Sequence, residues 1–383
     1  MCLMTPKIAR FLADQQPATP CLVVDLSIVA EQYQALHKAL PTGRIHYAVK
    51  ANPASAILTC LHQLGSYFDI ASPGEIDLCL QAGIPAAKLS FGHTVKTARS
   101  IAYAHQKGLT LFAFDCLEEL EKLAQHAPGC SVFCRLGVLN TGAEWPLSRK
   151  FGTTVEHAFT LLTKARALGL KPAGLSFHVG SQQTHIEAYA EAIAQAAELY
   201  HRLDKEQNIT LDFINMGGGF PTYYRTPIPA IDQFGQAITT AMQTHFPHHA
   251  PQILLEPGRY MVGSAGIVQT EVVLASHRGN REDEPRWVYL DIGRFGGLAE
   301  TEGEAIRYAF QTPYDKTSTH YSPCILAGPS CDSMDVLYEK NPVPLPDELK
   351  TGDKLIILST GAYVSTYCST GFNGFPPLKE YYL

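Results

Sequence analysis

The stretch His46-Tyr47-Ala48-Val49-Lys50-Ala51-Asn52 is the starting point for interpreting the whole chain. Residues 45–49 predict a short buried strand that carries a lysine at its carboxyl end, and Asn52-Pro53 then signals a turn before a helix. Packing rarely places lysine at the end of a buried strand. A desolvated lysine at the mouth of a fold can lose its proton and form a Schiff base with a carbonyl compound. Taken alone, however, this stretch favours a solvated surface lysine.

The same pattern of a short strand followed by a helix recurs along the chain. Amphipathic helices are predicted at 29–40, 54–64, 75–82, 117–126, 155–168 and 186–203. Strands are predicted at 45–49, 67–71, 88–92, 110–114, 131–136, 174–179, 213–216 and 253–255. Eight such alternations predict an α/β fold, a TIM-like (β/α)8 barrel, in preference to an open doubly wound sheet.

The predicted secondary-structure pattern changes after Arg259. Strand-like runs at 271–276, 287–290, 324–327 and 354–359 follow one another without long helices between them. They predict a second, all-β domain, a sandwich or barrel, which the first strand at 21–25 joins. The predicted boundaries are therefore 26–260 for the barrel, and 1–25 together with 261–383 for the β-domain.

Composition excludes several classes of protein. The net charge is -6 and charged residues make up 17% of the chain, which argues against nucleic-acid partners and a polybasic membrane patch. No apolar run approaches the ~20 residues of a membrane span, and residues 1–16 lack a signal-peptide pattern. Ten scattered cysteines without a Cys-x-x-Cys pair favour the cytoplasm over a disulfide scaffold or a zinc site. His245, His248 and His249 predict a solvated loop, so no metal is expected.

Polar residues gather where the predicted barrel strands end, which is where barrel enzymes carry out their chemistry. Each has a structural alternative when taken alone, such as a helix cap, a turn glycine or a core histidine. Their occurrence at one rim predicts a site. In strand order the set is Lys50, then Asp69 with Ser72 and Glu75, Arg135, then His178 with Gly180 and Ser181, then Gly217-Gly218-Gly219, and finally Glu256, Gly258 and Arg259.

The residue types indicate what this site binds. Three successive glycines leave backbone N–H groups accessible to a phosphate, to which Ser181 can add a hydroxyl and Arg259 a charge. Their spacing does not match a dinucleotide fingerprint. Glu256, placed before Pro-Gly-Arg, can keep a pyridine nitrogen protonated and so make the ring an electron sink. The imidazole of His178 can stack on such a ring, although a core histidine remains the alternative.

Two further motifs lie in the predicted β-domain. They are Gly328-Pro329-Ser330-Cys331-Asp332-Ser333 and Gly361-Ala362-Tyr363. Cysteine beside aspartate after a Gly-Pro turn is either a packed small residue with a turn cap or an exposed proton donor next to a fixed negative charge. Sequence spacing leaves both interpretations open.

These motifs together resemble one enzyme family, the fold type III pyridoxal phosphate decarboxylases. Its members act on ornithine, lysine, arginine or diaminopimelate and have an alanine racemase-like barrel followed by a β-domain. The resemblance runs from about residue 20 to the C-terminus. It rests on Tyr47-Ala48-Val49-Lys50, Phe177-His178-Val179-Gly180-Ser181, Gly217-Gly218-Gly219-Phe220, Glu256-Pro257-Gly258-Arg259, Cys331-Asp332 and Gly361-Ala362-Tyr363. Cys-Asp-Ser at 331–333 favours the bacterial ornithine and ornithine/lysine branch, because diaminopimelate enzymes typically carry Cys-Glu-Ser there.

The resemblance implies pyridoxal phosphate as cofactor and a role for each matching residue. Lys50 would form the Schiff base, Glu256 would hold the ring proton and His178 would stack on the ring. The implied cofactor-binding set is Lys50, Asp69, Arg135, His178, Ser181, Gly218, Gly219, Glu256, Gly258, Arg259 and Tyr363, with Glu75 in the shell around Lys50. The implied catalytic set is Lys50, His178, Glu256 and Cys331, in which Cys331 reprotonates the α-carbon. The implied substrate-binding set is Cys331, Asp332, Tyr363 and Glu300, in which Asp332 pairs with the distal ammonium of a small basic amino acid.

The resemblance also implies a homodimer in which the Cys331-Asp332 loop completes the site of the second subunit. Ornithine, converted to putrescine and carbon dioxide, is the expected substrate. A dual enzyme that also converts lysine to cadaverine is the first alternative, because one methylene is worth only ~1–3 kcal/mol in a pocket. Eukaryotic relatives carry a Tyr-Asp-His segment where this chain has residues 296–301, and Glu300 is a candidate substitute. A diaminopimelate decarboxylase, an amino acid racemase and a non-catalytic regulator are the remaining alternatives.

Overall fold

The computed structural model describes residues 4–138, 142–145, 150–279 and 284–383. The chain divides into two compact units. The barrel unit comprises Val29–Pro221 and Ile228–Met261, and the sheet unit comprises Met1–Ile28, Thr222–Pro227 and Val262–Leu383. The short crossing at Thr222–Pro227 is absent from the boundaries expected from sequence. In the described ranges, none of the helices has the length and apolar character needed to cross a membrane.

The secondary structure follows the expected alternation and adds four helices that the sequence did not predict, at 6–15, 98–106, 231–245 and 259–262. The helices are α1 Pro6–Gln15, α2 Leu26–Ala39, α3 Ser55–Gln63, α4 Pro73–Gln81, α5 Ala98–Gln106, α6 Leu117–His126, α7 Val155–Ala167, α8 Glu187–Gln207, α9 Ile231–His245 and α10 Arg259–Val262. The strands are β1 Cys21–Val24, β2 Gly43–Ala48, β3 Tyr67–Ile70, β4 Leu89–Phe91, β5 Leu111–Phe114, β6 Ser131–Arg135, β7 Ala143–Trp145, β8 Lys171–Ser176, β9 Ser181–Gln183, β10 Phe213–Asn215, β11 Gln252–Leu255, β12 Gly266–Ser276, β13 Arg286–Leu290, β14 Phe310–Gln311, β15 Tyr321–Ala327, β16 Val336–Leu337, β17 Val343–Pro346, β18 Lys354–Leu358 and β19 Lys379–Tyr382.

Eight parallel strands close into a barrel, which confirms the predicted fold. The order is β2-β3-β4-β5-β6-β8-β10-β11, and β11 pairs with β2 to complete the circle. Side chains fill the interior, including an apolar cluster of Phe133, Phe213, Ala113, Ala173 and Leu254. The small residues of this cluster make room for its aromatic rings. The barrel is therefore a packed core that aligns the carboxyl ends of all eight strands.

Among the barrel strands that end earlier than the sequence predicts, two bear directly on the site. The strand predicted at 45–49 stops at Ala48, so Lys50 lies on a one-turn 3-10 helix, Val49–Ala51. The hydroxyl of Tyr47 closes this turn by donating to the carbonyl of Asn52 at 2.9 Å. The strand predicted at 174–179 stops at Ser176, which leaves His178 in the following loop. Apolar residues continue past both strand ends, and for that reason the sequence pattern overextended them.

The sheet unit is built on one nine-stranded sheet. Its path runs β14-β18-β12-β13-β15-β16, with β17 paired to β15. Strand β1 pairs antiparallel with β12 and parallel with β19, so the first strand lies in the same sheet as the C-terminal part of the chain. Buried Ile8, Cys21, Val23, Ile267 and Leu358 form the apolar cluster that fixes this junction.

An ion pair is buried in the barrel unit just beyond the end of β4. The ammonium of Lys96 lies 2.9 Å from the carboxylate of Glu119 and donates to the carbonyls of His93 and Ala113 at 2.8 and 2.6 Å. The exposed side of the same carboxylate meets Lys122 at 2.6 Å. Lys96 and Glu119 are both almost fully buried, whereas the Lys122 side chain is 35% exposed. The two lysines therefore bind one carboxylate in very different environments.

We predict unequal costs for removing these two cations. Lys96→Met leaves the Glu119 carboxylate buried without its inner partner and is expected to cost about 3–5 kcal/mol of unfolding free energy. Lys122→Met, the matched control, removes a solvent-screened partner and is expected to cost about 0–1 kcal/mol. Urea unfolding followed by circular dichroism measures both, and equal losses would contradict this view of the ion pair.

Candidate active site

The site residues of the barrel unit stand at one rim, at or just after the ends of its strands. Lys50 follows β2, Asp69 lies in β3, Arg135 ends β6, His178 follows β8 and Glu256 follows β11. The Lys50 residue is exposed, because it sits on the turn beyond the strand. Burial raises the pKa values of Asp69, Glu75 and Glu256, and the positive charge of Lys50 opposes this rise. The rim thus places one lysine among three carboxylates.

Asp69 and Glu256 are an electrostatically coupled pair of acids. Burial raises the pKa of Asp69 above its ordinary value, and the negative charge of Glu256 raises it further. Burial likewise raises the pKa of Glu256, while Lys50 and Arg135 act in the opposite direction. In the described part of the chain, Oδ1 of Asp69 is buried without a hydrogen-bond partner. A buried acceptor left open in this way points to a donor that a bound group supplies.

Asn215 is a member of the site that the sequence interpretation missed. It ends β10, and its side-chain amide donates to Oε1 of Glu256. The same side chain accepts from the N–H of Gly217 at 2.9 Å through its oxygen. This fixes the amide orientation and lowers the pKa of Glu256, opposing the effect of burial. The strand-end rule that found Asp69 could also have found Asn215.

His178 lies beside the glycine loop with its ring held in a defined protonation state. Nδ1 accepts the N–H of Gly180 at 3.0 Å, so a neutral ring carries its proton on Nε2. Burial lowers the pKa of His178 well below its ordinary value, and the charges of Arg135 and Lys50 lower it further. Nε2 of the ring lies 3.5 Å from the place where a Cβ on Gly218 would stand. The ring is therefore an uncharged flat surface at neutral pH.

The Gly217-Gly218-Gly219 loop has the form of an anion cradle. Its carbonyls are occupied, since they accept from Glu256 N at 2.7 Å, Tyr189 Oη at 2.8 Å and Gln183 N at 2.9 Å. The N–H groups of Gly218 and Gly219 make no hydrogen bond to any described residue. A Cβ on Gly218 would lie 2.5 Å from the Glu256 carbonyl, and a Cβ on Gly219, whose φ is +105°, would lie 2.5 Å from the Gly180 carbonyl. Only glycine permits this loop, and its open donors suit a phosphate.

Ser181 and Arg259 flank this cradle. Nε and Nη2 of Arg259 both lie 3.2 Å from Oγ of Ser181. Arg259 is 4% exposed and Ser181 is half-buried, so the charge is held close to the loop. Gly258 precedes Arg259 and is buried. A cradle of open amides, a hydroxyl and a buried guanidinium, next to a coupled acid pair and a flat neutral ring, fits pyridoxal phosphate.

Glu75 stabilises the start of α4 through two hydrogen bonds. Its Oε2 accepts the N–H of Ala71 at 2.6 Å, and its own N–H donates to Oγ of Ser72 at 3.3 Å. Ser72 thereby caps the start of α4, and the Glu75 carboxylate binds the residue before this cap. The carboxylate therefore fixes the loop between Asp69 and the helix, and it faces Lys50 electrostatically from there.

The Cys331-Asp332 motif belongs to the sheet unit and lies on an exposed loop. Buried Asp335 holds that loop, since its carboxylate accepts from Ser330 Oγ at 2.7 Å and Arg294 N at 2.7 Å, and its carbonyl accepts from Gly328 N at 2.8 Å. Cys331 and Asp332 themselves are exposed. The sequence left a packed cysteine and an exposed one open, and the structure selects the exposed one.

Asp332 lines a cavity of about 390 Å³ within the sheet unit. Other lining residues are Arg294, Phe295, Ala299, Glu302, Met334, Tyr367, Cys368 and Ser369. Among the described residues, Glu302 is the second acidic residue that lines this cavity. Glu300 is 7% exposed and does not line it. Tyr363, also in the sheet unit, has a φ of +60°, an unfavourable conformation for a bulky residue that often accompanies function.

Comparison with known proteins agrees with this geometry. A family model described as "Pyridoxal-dependent decarboxylase, pyridoxal binding domain" matches residues 26–263. The chain is 36% identical over 376 residues to the lysine/ornithine decarboxylase of Selenomonas ruminantium, covering 97% of this chain and 91% of that protein. It is 30% identical to the ornithine decarboxylase of Schizosaccharomyces pombe, covering 94% and 82% of the two chains.

Solved structures give the same result. The lysine/ornithine decarboxylase of Vibrio vulnificus in complex with cadaverine superposes with a TM-score of 0.88 at 31% identity and covers 100% of both chains. The same enzyme has been solved with putrescine, and a related lysine decarboxylase has been solved with pyridoxal phosphate and cadaverine. The chain therefore belongs to the pyridoxal phosphate-dependent decarboxylases of the fold type III family, as its barrel, phosphate cradle and acid pair indicate.

Proposed function

We propose that this enzyme decarboxylates L-ornithine to putrescine and carbon dioxide, and that the same site accepts L-lysine and releases cadaverine. The observation that carries the proposal is the cavity of the sheet unit in which two acidic side chains, Asp332 and Glu302, face the same space. Two carboxylates favour a substrate with a distal ammonium group. The Vibrio relative binds both diamines, which supports a dual specificity.

The barrel unit supplies the cofactor machinery in this proposal. Bound pyridoxal phosphate provides the electron sink for the pair left behind when carbon dioxide departs. Lys50 would be the residue that holds the cofactor covalently. The open amides of Gly218 and Gly219, with Ser181, Gly258 and Arg259, would bind the phosphate. The neutral His178 ring supports the face of the cofactor without adding a competing charge.

Glu256 decides whether the electron sink works. Its carboxylate must be ionised to hold a proton on the ring nitrogen of the cofactor. Burial opposes ionisation, while Asn215, Lys50 and Arg135 favour it. Asp69 shares the low-dielectric rim and has its own pKa raised by Glu256. The balance between these groups keeps one negative charge where the ring nitrogen binds.

The exposed loop of the sheet unit supplies proton transfer and specificity. Cys331 donates a proton to the α-carbon after carbon dioxide has left, and Asp332 binds the distal ammonium. We propose Glu302 as the second acidic contact in place of Glu300, because Glu302 lines the cavity with Asp332. Ornithine and lysine differ by one methylene, so a cavity with two acceptors can accommodate both at a difference of ~1–3 kcal/mol.

We further propose a homodimer in which this loop serves the site of the other subunit. Cys331 and Asp332 are exposed, and large apolar side chains in the same unit are exposed too, namely Met334 at 61%, Tyr367 at 47% and Phe375 at 42%. Apolar groups around polar functional residues favour burial against a second copy. Nine cysteines in the described chain are free thiols, which supports the cytoplasm as the compartment.

The activity is tested by measuring carbon dioxide release from ornithine, lysine, arginine and diaminopimelate. We expect release from ornithine and lysine, and a loss of at least about 100-fold in kcat/KM for Asp332→Asn, because a buried ammonium would lose its charged partner. Glu302→Gln should change the ornithine-to-lysine ratio, whereas the Glu302 assignment fails if only Glu300→Gln does so. Racemisation without carbon dioxide release would disprove the decarboxylase activity.

We predict that Asn215→Ala shifts the pH dependence. Asn215 stabilises the ionised form of Glu256, so its removal raises the Glu256 pKa. The acid limb of the kcat/KM profile should then move to higher pH by about one to two units. Asn341→Ala is the matched control, because Asn341 makes the same amide bond to Glu304 at 2.8 Å and lowers that residue's pKa. A profile that moves in both variants, or in neither, would refute the role given to Asn215.

Shared sites are tested by complementation. Lys50→Ala and Cys331→Ala proteins are each expected to be inactive alone. After mixing and exchange of subunits, random assortment should restore about a quarter of wild-type sites, because each mixed dimer has one intact composite site. Differently tagged subunits verify the exchange. Exchange without recovered activity would rule out a site shared between subunits.

A further inference from the structure

Arg135 is held at the rim by an unusual set of contacts. Its guanidinium interacts electrostatically with Glu256, Asp115 and Asp69, yet in the described residues it forms no ion pair within 4 Å. Among the described residues, its cation–π contact is with the ring of Phe151, whose centroid lies 5.0 Å from Cζ. The position of a charge that faces the acid pair thus depends on an aromatic ring.

The Phe151 ring is itself fixed from a second side. The His93 ring meets it edge-on at 5.7 Å and 86°. The carbonyl of His93 accepts from the buried ammonium of Lys96 at 2.8 Å. The Lys96–Glu119 ion pair therefore helps to fix the position of His93 beside Phe151. His93 lies just after β4, on the same rim as Lys50.

The backbone around Phe151 is tied to the strand that carries Arg135. Thr153 N donates to Arg135 O at 3.0 Å, and Gly137 N donates to Thr153 O at 2.9 Å. Gly152 N donates to the Asp115 carboxylate at 2.9 Å. Gly152 has a φ of +93°, and a Cβ there would lie 2.7 Å from Gly137 N, so glycine is required for this close approach. Ring and guanidinium are consequently fixed relative to each other.

We infer that Phe151 is a positioning residue that holds Arg135 in place by a cation–π contact, so that its charge acts on Glu256. This inference rests on the proposed function, in which the ionised Glu256 holds the ring proton of the cofactor. The positive end of the guanidinium meets the negative face of the ring, an interaction strengthened where water is excluded. Without the ring, the flexible arginine side chain loses its cation–π partner and can move away from the acid pair.

Displacement of Arg135 would change the pKa of Glu256 in a defined direction. Glu256 faces Asn215, Lys50, Arg135 and Asp69, and Arg135 is one of the groups that lower its pKa. If Arg135 moves away, the Glu256 carboxylate becomes protonated at a higher pH. Cofactor binding and turnover should therefore both weaken first on the acid side of the pH range.

The test compares Phe151→Leu, which removes the π face, with Phe151→Trp, which keeps it. Phe151→Leu should lower kcat/KM about 3- to 30-fold, the factor expected of one cation–π contact. It should also move the acid limb of pyridoxal phosphate binding, titrated into the apoenzyme by fluorescence, to higher pH. Phe151→Trp should stay within about 2-fold of wild type and retain the wild-type acid limb.

Phe159→Leu is the matched control, because Phe159 carries Arg202 at 4.9 Å in the same unit but on helices away from the strand-end rim. It should leave both readouts unchanged. The inference is overturned if Phe151→Leu leaves both readouts unchanged, as Phe159→Leu should. It is also overturned if Phe151→Trp loses as much kcat/KM as Phe151→Leu while the melting temperature of Phe151→Trp is that of wild type. The cofactor titration requires no substrate. A wild-type protein that releases no carbon dioxide would therefore overturn the proposed function, while the titration still decides the role of Phe151.

Discussion

The electrostatic balance at the barrel rim is the constraint on which the rest of the site depends. Two carboxylates, Asp69 and Glu256, are held in a low-dielectric environment where burial raises both pKa values and the charge of Glu256 raises that of Asp69 further. Lys50 and Arg135 oppose that cost with positive charge, and Asn215 opposes it with a hydrogen bond. His178 stays neutral under the same positive field, so it adds no further charge to the rim. The ionisation state of the site therefore depends on the small number of charged groups buried there and on how these groups are paired.

The barrel holds these groups in place because its interior is packed and its strands end together. Neither Lys50 nor His178 is on a strand, yet hydrogen bonds fix the turn or loop that carries each of them. A second layer of contacts, from the Lys96–Glu119 ion pair through His93 to Phe151, extends this rigidity to Arg135. In the sheet unit, buried Asp335 similarly holds the loop that presents Cys331 and Asp332. Turns and loops that are held by these contacts thus carry reactive side chains that are themselves exposed or half-buried.

Much of the fold and of the site could be predicted from the sequence. The β-α alternation identified all eight barrel strands, because parallel strands buried on both faces leave strong apolar runs. Polar residues at the strand ends identified the rim, since a closed barrel brings those ends together. Three successive glycines predicted the loop with open amides. The predicted roles of Cys331, Asp332 and Tyr363 came from resemblance to a family, because residues so far from Lys50 in sequence have no local signal that links them.

The sequence by itself determined the barrel, the order of the strand ends and the residue types at the rim, because hydrophobic periodicity and turn signals are local. Only the tertiary structure decided that Lys50 stands beyond its strand, that Glu302 and not Glu300 lines the cavity with Asp332, and that Asn215 contacts Glu256 and Phe151 contacts Arg135. Each of these depends on the direction of a side chain and on contacts between residues distant in sequence. Lys50, first recognised as a lysine at the end of a strand, acquires its chemical setting from carboxylates that the folded barrel brings to it.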